Sequence, residues 1–220
     1  MKKTIITLLL IIPVIAGIAC AKKVDGEDPK AAKARKLAVY SAQTVTAFDT
    51  LHNVTAVLQD NNAVTGGQAI AVYKFNDTAL TSFDVLRSRL ESGLPSDSLD
   101  RVDAILNDVE KLEGDLALIS DPNARNKFAE AVFTVRFTLN SIRAVIAASK
   151  EPSFGEVQRV ARQAAATRAG QPAWWTDVIL TIQTGLIRAI DQSRMSAAEA
   201  WADATALSAQ VHAKNKARIG

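Results

Sequence analysis

The chain has 220 residues, enough for one domain with a substantial core, and its 48% hydrophobic and 22% charged content excludes an intrinsically disordered protein. Ala contributes 38 residues, whereas Gly and Pro together contribute 16, about 7% of the chain against a usual share of roughly 12%. Ala is the best helix former and Gly and Pro the worst, so an all-α fold is expected; a β-sandwich or barrel lacks its turn residues here, and a Gly-rich nucleotide fold is unsupported.

Charge narrows the partners. Lys and Arg number 26 against 23 Asp and Glu, and residues 1–19 hold two of the basic ones, Lys2 and Lys3. A chain trimmed to Cys20 carries 24 basic against 23 acidic residues, so the pI near 9.0 is no footprint of nucleic-acid binding.

Lys2 and Lys3 open the chain, an apolar run fills Thr4–Ile12, and after Pro13 the run resumes from Val14 to Ala19. At about 16 residues it is shorter than the roughly 20 that a spanning helix needs, so it reads as a secretory signal. The run ends in Gly17-Ile18-Ala19-Cys20. This stretch resembles the lipobox of bacterial lipoprotein precursors, where a small residue precedes an invariant cysteine. The resemblance covers residues 1–20 alone. It implies a signal peptide over 1–19, cleavage before Cys20, and acylation of the thiol and the new amino group. Ala21 after the cysteine, in place of Asp, implies by the same resemblance delivery to the outer membrane in enterobacteria-like hosts, facing the periplasm. Gly17 stands where Leu is commoner, which leaves ordinary cleavage across Ala19-Cys20-Ala21, or an uncleaved anchor, as alternatives.

Cys20 is the only cysteine, so no internal disulfide can form. A lone thiol behind an apolar signal is better explained as a lipid attachment point than as an incidental group. One acyl chain holds marginally, at about 0.8 kcal/mol per buried CH₂, and two or three hold durably. Residues 20–28 then form the lipidated end and a polar tether; eight residues span at most about 26 Å.

Residues 29–220 are expected to form a single helical domain. Asp28-Pro29 is a helix start, with an acid at the N-cap and Pro at the first position. The apolar spacing of Leu37, Phe48, Leu51 and Leu58 carries the first helix to about Asp60, and Asn61-Asn62 and Gly66-Gly67 supply a turn. The second helix starts near Gln68, follows Val72, Phe75, Ala79, Phe83, Leu86 and Leu90, and closes at Ser92-Gly93 before Pro95. The third opens around Ser96-Asp97 and shows the cleanest stripe in the chain, Val102, Ile105, Val109, Leu112, Leu116 and Ile119. Asp121-Pro122 starts the fourth, with Phe128, Val132, Val135, Leu139, Ile142 and Ile146 inward, until Pro152 stops it.

Ser153-Phe154-Gly155-Glu156 matches a capping box and predicts a short helix, with Val157, Val160, Ala161 and Ala164 inward, that ends at Gly170. Pro172 opens the last and longest pattern, reaching about Lys216; a second capping box, Ser196-Ala197-Ala198-Glu199, marks a candidate break. Short connections make consecutive helices antiparallel. The expected architecture is an up-down bundle of five to seven helices with a long C-terminal helix.

Chemistry-bearing patterns are sparse. His52 and His212 are the only histidines, and neither lies in a Glu-x-x-His pair. Asp49 stands three residues before His52, which predicts a half-buried imidazole with a local carboxylate partner; His212, among Lys214, Lys216 and Arg218, reads as solvated. The periplasmic imelysin-like bundles would show a Gly-x-His-x-x-Glu motif, and the chain has none. Neither a nucleophile elbow nor a phosphate-binding loop occurs. Glu110 and Glu113 sit on the polar face of the third helix as solubilising charge. No catalytic residue, metal ligand or cofactor is assigned.

One segment stands apart. Arg159, Arg162 and Arg168 lie between Glu156 and Asp177 without an intervening acid, and Trp174-Trp175 follow ahead of a broadly apolar helix. Adjacent tryptophans point about 100° apart on a helix, so one is expected in the core and the other at an edge or partner surface. These five residues are the candidate contact surface, for anionic envelope polymer or another envelope protein, beside a core-capping role for both indoles. The functional expectation is a lipid-anchored bacterial envelope protein, held in membrane lipid by Cys20, whose non-catalytic bundle is a structural or binding scaffold. The alternative is a periplasmic carrier or sensor holding a small apolar ligand near Phe128, Phe133, Phe137 and Trp175.

Overall fold

A computed structural model describes residues 28–149 and 172–220. Six α-helices make up this part of the chain: α1 (Pro29–Asp60), α2 (Gly66–Ser92), α3 (Ser98–Leu116), α4 (Pro122–Ile146), α5 (Trp175–Gln192) and α6 (Ala197–Ile219). The fold is all-helical, and its last helix is long, as the sequence predicts. The leader, Cys20, the tether, the short helix expected after Ser153, and Arg159, Arg162 and Arg168 lie outside the described residues.

Side-chain chemistry fixes the helix ends. Asp28 caps α1 by accepting from the Ala31 amide, and Asp121 caps α4 by accepting from the Asn123 and Ala124 amides; a Pro follows each cap. Thr65 and Gln68 form a reciprocal capping box, so Gly66 and Gly67 are the first residues of α2 and not part of the turn before it. The turn is instead made by Asn62 at φ 55°, a left-handed conformation that Asn tolerates. Gly93 ends α2 at φ 151°. The long C-terminal pattern does break. Ser196 and Glu199 close the second capping box and start α6 afresh after a turn at Ser193–Met195.

Helices α1 to α4 form an antiparallel four-helix layer in which α1 packs on α2 and α4, and α3 closes the ring between them. Helix α5 lies antiparallel to α1, with Thr50 opposite Gly185 and Gln43 bonded to the Ala189 carbonyl. Helix α6 runs parallel to α1, pairing Asp49 with Lys214 and Asp60 with Arg218, and seats in the groove between α1 and α2. Among the described helices, neighbours in the order α1 to α6 are antiparallel except α4 and α5, which run the same way.

The consequence is that α1 becomes the centre of the molecule. Every residue from Leu37 to Phe48 is buried, polar ones included. The sequence suggests one apolar face; a helix with four neighbours has none to spare for solvent. Three of its hydroxyls bond one turn back, those of Thr44, Thr50 and Thr55 donating to the carbonyls of Tyr40, Thr46 and Leu51, whereas Thr46 reaches Gln192 on α5 and the Ser41 hydroxyl has no partner among the described residues.

Candidate functional site

Polar chemistry gathers where α6 enters between α1 and α2. The Asn76 amide donates to the Phe48 carbonyl at 3.0 Å and to Asn215 Oδ1 at 3.3 Å. The same Oδ1 lies 2.7 Å from His52 Nδ1. A backbone carbonyl can only accept, which fixes the Asn76 orientation, makes the Asn215 oxygen an acceptor, and leaves His52 Nδ1 as the donor. His52 is thus held as its Nδ1–H tautomer, with the Tyr73 ring 5.0 Å away. Burial pushes the His52 pKa below its ordinary value, and the charges of Lys214 and Arg218 push the same way; the Asn215 bond and Asp49 oppose them.

This corrects two expectations. His52 is only 5% exposed and pairs with Asn215, not with Asp49. Asp49 accepts instead from Lys214 at 2.7 Å and Asn53 at 3.1 Å, because α6 lays a cation against it. Nor is His212 solvated. Its Nδ1 lies 2.5 Å from Asp77 and its Nε2 3.1 Å from Asp84, two carboxylates one helical heptad apart on α2. Asp84 also accepts from Ser208 at 2.6 Å and from Arg87 at 3.2 Å. The basic tail is the polar edge of a docked helix. A sequence signal existed: Ser208 and His212 are four apart, as are Val211 and Asn215, so α6 presents one polar and one mixed row to the seam.

A second cluster lies under the tryptophans. Lys127 is fully buried, its Nζ 2.8 Å from both carboxylate oxygens of Glu130 and 4.0 Å from the Trp175 ring centroid. Burial raises the Glu130 pKa, against the pull of the Lys127 charge. Trp174 and Trp175 are each 6% exposed with rings 6.0 Å apart, so both cap the core. Of the two readings the sequence offers, the core-capping role for both indoles is the one the structure has, and the division into one core and one edge indole is not found, Trp174 being the N-cap residue of α5 and Trp175 its first residue.

Open space is unevenly placed. Beside Phe133 and Phe137 it amounts to about 30 Å³, room for about one water, and Phe128 is itself core. The larger space is a groove of about 640 Å³ between the first half of α2 and the second half of α3, floored by Val72, Phe75, Leu112 and Leu116. Periodicity places these residues on inward faces but cannot show that the two helices leave a furrow between them.

Among the described residues no group of three His, Cys, Asp or Glu side chains is placed to hold a metal ion. No described helix is long and apolar enough to cross a membrane. Comparison of the chain with protein-family models, curated proteins and solved structures finds no match in any of the three. The residues themselves therefore carry the functional argument.

Proposed function

We propose that this chain is a lipid-anchored bacterial envelope protein, outer-membrane and periplasm-facing, whose helical bundle is a non-catalytic scaffold. The observation that carries the reading is Cys20, the only cysteine, placed directly behind the apolar leader and eight residues before the Asp28 cap of α1. A diacylated or triacylated Cys20 at that distance would hold the body within about 26 Å of the bilayer.

The body's polar chemistry supports a scaffold. The Asn215 oxygen accepts from both His52 and Asn76, His212 lies between two aspartates, and Arg188 and Gln192 both bond Asp203. These bonds each join two helices, although Asn76 Oδ1 and Asn215 Nδ2 in the same cluster have no partner among the described residues. A binding role would fall to an envelope protein or an anionic envelope polymer, with Arg159, Arg162 and Arg168 as the proposed contacts.

Mass spectrometry and membrane fractionation of the wild type and Cys20→Ala test the reading. Acyl mass on a peptide beginning at Cys20, with release of the variant from the outer-membrane fraction, is expected. A bare thiol on an intact leader, or a variant that stays bound as firmly as the wild type, overturns it.

A further inference from the structure

We propose that the face bearing the groove between α2 and α3 is the contact surface of a two-fold homodimer, with Leu118 at the end of the groove as its exposed apolar anchor and Lys74 and Asp115 pairing across it. Leu118, in the turn after α3, is 80% exposed beside a furrow of about 640 Å³, and Phe75 in its floor is only partly covered. An exposed apolar patch flanked by charge has the anatomy of a protein interface.

The charges select the occupant. Four ionised side chains line the groove: Lys74 on α2, and Asp108, Lys111 and Asp115 on α3. Lys111 and Asp108 neutralise each other at 2.8 Å. Lys74 and Asp115 remain, one on each wall, with no ion pair among the described residues. A ligand carrying one sign of charge would meet its own sign on one wall. A second copy turned about an axis parallel to the helices would not. That rotation sets α2 of each copy against α3 of the other, so Lys74 meets the partner's Asp115 twice. Because α2 and α3 are antiparallel, with Arg89 near the end of one bonded to Asp97 at the start of the other, Lys74 and Asp115 fall within about a turn of the same height, inside the reach of a lysine. The inference does not depend on lipid attachment, although the same axis leaves both N-termini at one end of the dimer.

Sedimentation of the full chain in detergent tests this, using the wild type, Lys74→Glu, Asp115→Lys, the double variant and Leu118→Asp. Circular dichroism melts serve as the folding control. The wild type is expected to be a dimer. Each single charge reversal should raise the dimer dissociation constant by about tenfold or more, since like charges then face each other twice. The double reversal should return it to within about threefold of the wild type, because every pair is restored with its signs exchanged, and Leu118→Asp should give monomer. A monomeric wild type, a dimer indifferent to all four changes, or a double reversal no better than the singles overturns the proposal.

Discussion

Gly185 on α5 lies so close to Thr50 on α1 that a Cβ placed on it would stand 2.1 Å from the threonine Oγ1 and 3.3 Å from its Cβ. The hydroxyl cannot simply swing away, because it donates to the Thr46 carbonyl at 2.9 Å. In an exposed helix, Gly→Ala gains about 1 kcal/mol from propensity. Here overpacking costs about 1–3 kcal/mol and outweighs that gain. Gly185→Ala is therefore expected to lower the stability measured by urea unfolding. Combining it with Thr50→Ala should recover much of the loss, a non-additive result that a cycle of the two single and one double variants would read. Equal losses with and without the threonine would show that the contact does not set the α1–α5 spacing.

Ser196 decides that the C-terminal pattern is two helices. Its hydroxyl accepts from the Glu199 amide at 3.3 Å, and the Glu199 carboxylate accepts from the Ser196 amide at 2.8 Å. Ser196→Ala should cost about 1 kcal/mol, the usual worth of an N-cap. Ser196→Asn should cost little, because its amide oxygen caps as well and its NH2 can still donate to the Glu199 carboxylate, as the serine hydroxyl does at 2.7 Å. Thermal melts of the two variants separate a capping role from a need for the serine itself.

Acid should loosen the seam of α1, α2 and α6 through His52. Its folded pKa is lowered, so the unfolded chain binds the proton first as pH falls. The contribution is complete above the ordinary histidine value of about 6.5 and is lost progressively from there downward toward the lowered folded value. Unfolding free energies between pH 8 and pH 5 should fall more steeply for the wild type than for His52→Gln, which can still donate to Asn215 but does not titrate in that range. Parallel slopes for the two proteins would remove His52 as the source.

How far these features were legible in the sequence depends on the distance over which they act. Asp28-Pro29, Asp121-Pro122 and Ser196–Glu199 are complete within four residues; the first two start helices where the sequence places them, and the third makes the break that the sequence offers only as a candidate. The stripe from Val102 to Leu116 faces the core as its spacing requires. Gln43 and Thr46, by contrast, meet Ala189 and Gln192 across 146 residues, and His52 meets Asn215 across 163. No local pattern marks a polar residue as buried when its partner lies that far along the chain. For that reason α1 read as amphipathic when it is central, and His212 read as solvated when two aspartates hold it. The groove beside Leu118 was illegible for a different reason. It is a gap between two correctly placed stripes, and spacing records which residues face inward but not how completely they meet.

Lys127 gives the sharpest test of the core. Its ammonium is wholly buried and balanced by Glu130, whose side chain is 15% exposed. Lys127→Met keeps the volume but leaves a carboxylate in low dielectric without its cation, and removing one partner of a buried pair costs about 3–5 kcal/mol. Burial already raises the Glu130 pKa with the lysine in place, and without it the rise should be larger. A carboxyl whose folded pKa is raised penalises the fold above its unfolded value and ceases to do so once protonated. The variant should therefore regain stability relative to the wild type as pH falls from 7 toward the ordinary glutamate value of about 4.3. Lys127→Met with Glu130→Gln should approach wild-type stability at neutral pH, since neither remaining group then carries an unpaired charge. Near-ultraviolet circular dichroism follows the same site through Trp175, whose ring loses the cation 4.0 Å from its centre. A Lys127→Met protein as stable as the wild type at pH 7, with an unchanged tryptophan signal, would show that the pair contributes nothing to this end of the core.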